Sequence, residues 1–158
     1  MRQNKGLKIT TFVVLAMFAV LLFERTGGPE TNALAQSNTW SQNVQLLARA
    51  VNGEARGEVY EGQVAVAAVI LNRVKHPSFP NTIAGVIYQP RAFTAVTDGQ
   101  INVPISENST VYKACQDAMN GWDPSGGAIY YYNPRTATSP WIFSRPIVKV
   151  IGNHTFAK

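Results

Sequence analysis

Gln63-Val64-Ala65-Val66-Ala67-Ala68-Val69-Ile70-Leu71-Asn72-Arg73-Val74 is the stretch on which the fold turns, because so continuous an apolar run suits either a buried strand or a buried helix. Its length and its alanines favour the helix. Lys75-His76-Pro77-Ser78-Phe79-Pro80 then stops it, since two prolines so close forbid helical continuation. Upstream, Val44, Leu47, Ala48 and Val51 recur at helical spacing between Gln42 and Asn52, and Gly53 is placed to end that helix with a left-handed cap.

Downstream, Asn81 can cap a short helix through Tyr88. Gln89 to Ser106 holds two prolines and Asp98-Gly99 without sustained periodicity, and reads as a long loop of the functional or mobile kind. Asn108 or Ser109 can cap a further helix with Val111, Ala114, Cys115, Ala118 and Met119 on one face, ended by Gly121. Asp123-Pro124-Ser125-Gly126-Gly127 is turn chemistry. The tail changes character: Ala128 to Tyr132 is strand-like, and Ile147 to Ile151, Gly152-Asn153 and His154 to Phe156 read as a small terminal hairpin. Helices first and a few short strands last predict an α+β domain.

At the amino end, Arg2, Lys5 and Lys8 precede an apolar run from Phe12 to Phe23. A membrane span needs about 20 apolar residues, so this run reads as a signal peptide over 1–35, cut after Ala33-Leu34-Ala35. Left uncleaved, it would be an amino-terminal anchor, the one circumstance in which a membrane contact is expected. Either way the remainder is exported across the cytoplasmic membrane. Residues 36–43 read as a polar leader and 44–158 as one domain.

The chain's net charge of +5 comes partly from that first segment, and the mild balance left over suits an anionic wall polymer without requiring one. Nothing points to nucleic acid. A lone cysteine excludes an internal disulfide, and with only two histidines beside it a zinc site is poorly supplied, so neither catalytic metal nor cofactor is expected.

The densest chemistry lies in Asn52-Gly53-Glu54-Ala55-Arg56-Gly57-Glu58, with Glu61 soon after. If Glu54 to Glu61 continues as helix, three carboxylates fall at i, i+4 and i+7 on one face, and their like charges favour protonation of the most buried. A protonated carboxyl is what a glycosidase acid must supply. Glu54 also lies at a helix end where the macrodipole disfavours negative charge. The alternative is a solvated acidic face with Arg56 paired to a neighbour, and spacing leaves both open.

Tyr130-Tyr131-Tyr132-Asn133-Pro134, followed by Thr136, Thr138, Ser139 and Trp141, mixes rings that stack on sugars with groups that bond hydroxyls and acetamides. In a strand Tyr131 faces opposite to Tyr130 and Tyr132, so at least one ring belongs to the core. Trp40, Trp122 and Trp141 are equally ambiguous. Cys115 with His154 would suit a cysteine peptidase, but a mid-helix apolar position gives a thiol no activation. His76 and His154 read as structural or surface residues, and Asp98 as a turn former.

Leu47 to Glu58, Glu61-Gly62-Gln63-Val64-Ala65-Val66, Ile70 to Val74, Phe93-Thr94-Ala95-Val96, Ala128 to Pro134 and Gly152-Asn153-His154-Thr155-Phe156 together resemble the SleB/CwlJ-type cell wall hydrolases, the family of the spore cortex-lytic enzymes. The resemblance covers about residues 44–158. It implies a lysozyme-like helical catalytic domain with a few short strands, acting as a lytic transglycosylase on cortex peptidoglycan during germination, with preference for strands bearing muramic δ-lactam. It places the enzyme in the cell wall, the spore cortex or at the inner-forespore-membrane surface. By the same resemblance the catalytic glutamate is Glu54. From the chemistry of the residues themselves, Glu58 is the candidate for tuning or electrostatic support, and Tyr131, Tyr132, Thr138 and Ser139 are the candidates for substrate contacts. A muramidase using the same acid with water, and a wall-binding protein without catalysis, are the alternatives. The full-length spore enzyme carries a peptidoglycan-binding domain ahead of its catalytic domain, and residues 1–43 leave no room for one; an accessory protein is left unidentified.

Overall fold

The computed structural model of the chain describes residues 29–158. The apolar run of the expected signal segment falls outside them. Helix α1 (Pro29–Ala55) is longer than the periodicity of Val44 to Val51 implied, and runs through the segment read as a leader. Proline at the first helical position, Glu30 in the first turn and no breaker until Gly53 account for the extension. The chain divides into two units between Trp40 and Ser41, and the core and the sheet belong to Ser41–Lys158. No helix among the described residues is long and apolar enough to cross a membrane.

Helix α2 (Tyr60–Lys75) is the run that decided the fold, and it is indeed a helix, buried continuously from Gly62 to Ile70. A helix apolar on every side must be surrounded. Val44, Leu47, Ala48 and Val51 of α1 join its core cluster, together with Ile83, Val86 and Ile87 of α3 (Ile83–Ile87) and Val111, Ala114 and Cys115 of α5 (Thr110–Met119). Fully burying a side chain such as Leu47 contributes about 1.5–3 kcal/mol. Ser109 caps α5 by accepting from the Tyr112 N–H, as expected, whereas α3 is capped by Thr82 rather than Asn81. The stretch read as one long loop instead contains α4 (Thr94–Thr97) and a 3-10 turn, Gln100–Asn102. Four residues are too few to show a period.

The strands β1 (Tyr130–Tyr132), β2 (Ile147–Ile151) and β3 (His154–Ala157) form an antiparallel sheet ordered β1-β3-β2, with Tyr131 opposite Phe156. A one-turn helix, α6 (Pro140–Phe143), lies between β1 and β2. The middle strand is buried throughout and Phe156 is inaccessible. The mixture is the α+β arrangement read from the sequence. Polar residues at the end of α2 hold β1 in place. Asn72 donates to Asp123 and to the Ala128 carbonyl, and Arg73 Nε donates to the Ile129 carbonyl at 2.7 Å.

Two expectations around the acidic run are corrected. Gly53 lies inside α1 and has no left-handed φ; its smallness serves a close approach, since a Cβ there would overlap that of Ala95 and lie 3.3 Å from its Cα. Helix α1 ends at Ala55 and the chain turns before α2, so Glu54, Glu58 and Glu61 do not share a helical face. Glu61 pairs with Lys149 at 3.0 Å on the surface, and Arg56 bonds Gln100 rather than a carboxylate.

Candidate active site

Glu54 occupies the last turn of α1, partly buried, and its carboxylate is held from three directions. Oε1 accepts from Thr94 Oγ1 at 2.7 Å and from the Ala95 N–H at 3.0 Å, while Oε2 accepts from the Tyr131 hydroxyl at 3.1 Å. The close seat of α4 on Gly53 brings those two α4 donors within reach. A backbone N–H can only donate, so Oε1 is committed as an acceptor, and Oε2 is the oxygen free to carry a proton.

Tyr131 packs on the core and edges onto His154, with ring centroids 5.2 Å apart. Burial, and then the Glu54 charge, raise its hydroxyl well above the ordinary tyrosine range despite the opposing Arg73 cation, so it stays a donor. Arg73 is buried in a box of Phe79, Phe93 and Tyr130, its guanidinium carbon 5.3–5.8 Å from their ring centres. Burial lowers its pKa while Tyr131, Tyr130 and Glu54 act the other way; an arginine so placed remains charged.

Glu58 follows the end of α1, in the turn before α2, where Gln63 Nε2 donates to the Glu58 and Arg56 carbonyls. Its side chain grips the hairpin turn: Oε2 accepts from the Asn153 N–H at 2.9 Å and Oε1 from Asn153 Nδ2 at 3.1 Å. His154 Nδ1 stands 4.0 Å from Oε1, buried and without a hydrogen bond. Burial raises the Glu58 pKa, but the Asn153 donors and the nearby His154 outweigh it and hold the carboxyl below its ordinary range. Burial lowers the His154 pKa, against the pull of Glu58 and Glu54.

Acid should therefore loosen this hairpin in two stages. His154 is depressed in the fold, so its stabilising neutral form is complete above the ordinary histidine range, about 6.5, and is lost as pH falls through its folded value. Glu58 behaves likewise from about 4.3 downward. The melting temperature should fall on acidification below neutrality and fall again in the carboxylate range. Glu58→Gln should melt lower than wild type at pH 7, with the gap closing in acid; a gap independent of pH contradicts this.

These groups line one cleft of about 460 Å³, together with Tyr132 of β1, Asn133 and Thr136 of the segment after it, and Arg91 and Thr94. Of the residues expected from the sequence, Glu54, Glu58, Tyr131 and Tyr132 are brought together, whereas Thr138 and Ser139 are exposed and outside the lining. Thr94, Ala95 and Arg73 were named only within the runs that carry the resemblance, and His154 was read as a structural or surface residue. Thr94 and Ala95 reach Glu54, and His154 nears Glu58, across stretches of chain that no local pattern links. Cys115 is buried in α5 and burial pushes its thiol up, which leaves no nucleophile there. His76 accepts from the Ser78 N–H, and Asp98 accepts from Gln100, both as local turn formers.

Glu54 thus presents a carboxyl with one oxygen committed to an N–H and the other facing only a hydroxyl, in a cleft that Tyr131 and Tyr132 line. Comparison with known proteins gives the family. The spore cortex-lytic enzyme of Bacillus cereus is 60% identical over 131 residues, which are 82% of this chain and 50% of that protein. The chain thus spans about half the length of the curated relative it matches. The crystal structure of the catalytic domain of Bacillus cereus SleB superposes with a TM-score of 0.70 at 63% identity, covering 75% of this chain and 91% of that one. The catalytic domain of the germination-specific lytic transglycosylase SleB from Bacillus anthracis does so with the same score and identity, covering 73% and 93%. The family model for Cell Wall Hydrolase matches residues 57–157, beginning just after the α1 turn that carries Glu54. By sequence and by fold, the chain belongs to the cell wall hydrolase family.

Proposed function

We propose that this domain is a lytic transglycosylase that cuts the glycan strands of peptidoglycan between N-acetylmuramic acid and N-acetylglucosamine, with spore cortex opened at germination as its setting outside the cytoplasm. The observation that carries the reading is the contrast between the two carboxylates of the cleft. Glu54 has Oε2 facing one hydroxyl, while both oxygens of Glu58 are taken up by the hairpin turn. One carboxyl is therefore available for chemistry, and the other holds a wall of the cleft.

A two-carboxylate hydrolysis needs a second group to activate water or attack the sugar. Glu58 is poorly placed for either. With a single free acid, Glu54 donates from Oε2 to the glycosidic oxygen as the bond to the muramoyl carbon breaks and oxocarbenium character develops. The carboxylate so formed takes the proton from the muramoyl 6-hydroxyl, whose oxygen closes a 1,6-anhydro ring. Proton and bond counts balance without added water. Tyr131 steadies the negative charge on Oε2, and Tyr132, Asn133 and Thr136 supply a wall for stacking and for bonds to acetamides.

Tyr131→Phe keeps the ring packing and removes that one donor, so cleavage should slow by about tenfold with little change in melting temperature. An unaltered rate would remove Tyr131 from the mechanism. The proposal itself is tested by incubating the purified domain with isolated cortex peptidoglycan: soluble muropeptides should appear, and a suspension that stays turbid argues against it.

A further inference from the structure

Arg91 is the single non-glycine residue with positive φ among the described residues, at +64°. The turn around it explains what is unusual. Ala92 N–H donates to the Gln89 carbonyl at 3.1 Å, so Gln89-Pro90-Arg91-Ala92 is a β-turn with proline at the second position and a left-handed third, the type II form. That third position belongs to glycine or asparagine on steric grounds. A long cationic side chain there is held against the local preference of the backbone, and such outliers cluster at ligand sites.

Its surroundings supply the ligand. Arg91 lines the cleft, is exposed, and makes no hydrogen bond or ion pair among the described residues. The two carboxylates of the cleft are engaged elsewhere, Glu54 by Thr94, Ala95 and Tyr131 and Glu58 by Asn153. Arg73, the other guanidinium of the lining, is buried among rings. Arg91 is thus an unpaired positive charge on a cleft that also holds the Glu58 carboxylate, kept ionised by its Asn153 donors. An anionic substituent near Glu58 would be repelled unless a cation met it, and a guanidinium matches a carboxylate in both charge and shape.

We infer that Arg91 is a specificity-determining residue that binds a carboxylate of the peptide stems carried by the muramoyl residues of the strand. The inference rests on the peptidoglycan reading above and adds to it which strands are preferred: those whose stems keep a free carboxylate near the cleavage point. Binding of this kind acts on KM rather than on the chemical step.

The experiment compares strands bearing free stem carboxylates with the same strands after those groups are converted to methylamides, digested by the whole chain and by two variants. Wild-type KM should rise about tenfold on amidation, the scale of one charge-assisted bond at a solvent-exposed rim. Arg91→Gly suits the turn better and should not lower the melting temperature; it should show the raised KM on both substrates with kcat within about twofold. Arg91→Lys should recover part of the discrimination. Wild type that cleaves both substrates with equal KM, or Arg91→Gly that still distinguishes them, overturns the assignment of Arg91 while leaving the glycan reading standing. Wild type that cleaves neither overturns the glycan reading and this assignment with it.

Discussion

Glu54→Gln is expected to lower the rate of strand cleavage by about 10³-fold while the protein stays folded, since a positioned acid contributes roughly 10²–10⁴-fold. Glutamine fits the same cradle. Its amide oxygen can accept from Thr94 and the Ala95 N–H as Oε1 does, and its amide nitrogen can donate to the Tyr131 oxygen, which is able to accept. What is lost is the proton on Oε2 and the base it leaves behind. Muropeptide release, followed with circular dichroism and thermal melting, checks this: unchanged melting and release slowed to that extent are expected. A folded variant that releases muropeptides at the native rate would place the acid elsewhere, and a wall-binding role without catalysis would show as a biological effect indifferent to the substitution.

Gly53→Ala is expected to have the second largest effect, although the site is one residue away from the carboxylate and the change adds one methyl. In a helix, alanine gains about 1 kcal/mol over glycine from propensity alone. Against that, the new Cβ overlaps Ala95, a fully buried residue whose backbone cannot give way as a flexible side chain would. Overpacking of this kind costs about 1–3 kcal/mol, so the net change is destabilising. The functional loss should be larger. Relief of the overlap moves α4 off α1, carrying away both the Ala95 N–H and the Thr94 hydroxyl, and misplacement on the scale of 1 Å can cost about 10²-fold. Lower melting together with a greatly reduced cleavage rate is the expected pair. A variant that melts higher and cuts normally would show that the approach of α4 is not what holds Glu54.

Gly53 also marks how far the sequence could be read. A glycine after an amphipathic run suggests a helix cap, because local pattern reports φ preferences and breaks in period. It carries no information about Ala95, more than forty positions away, whose approach gives this glycine its reason. The helix α2 was legible because apolar residues without a polar face admit few structures, and the terminal hairpin because β-branched runs around Gly152-Asn153 do the same. Helix α4 was not, since it is too short to show periodicity and its Thr94 and Ala95 matter through a contact with α1.

The candidate site divides along the same line. Glu54 stood out by its place in the acidic run and by family resemblance, but the sequence argument for it leaned on a helical face shared with Glu58 and Glu61. The turn after Ala55 removes that face, sending Glu61 to Lys149 and Glu58 to the hairpin. Tyr131 was legible as either core or cleft, and it is both: its ring packs inward while its hydroxyl reaches Oε2. Thr138 and Ser139 have the chemistry of sugar ligands but are not among the residues that line the cleft, whereas Asn133 and Thr136 on the same segment are.

The central claim is that one carboxyl serves first as acid and then as base, so that no water enters the product. Mass spectrometry of muropeptides released by the wild-type domain, with the digestion run in heavy-oxygen water, tests it most directly. The account predicts anhydromuramoyl ends, lighter than reducing ends by one water and free of the heavy isotope. Reducing muramoyl ends bearing heavy oxygen would contradict it, because water would then have done what the 6-hydroxyl is assigned here.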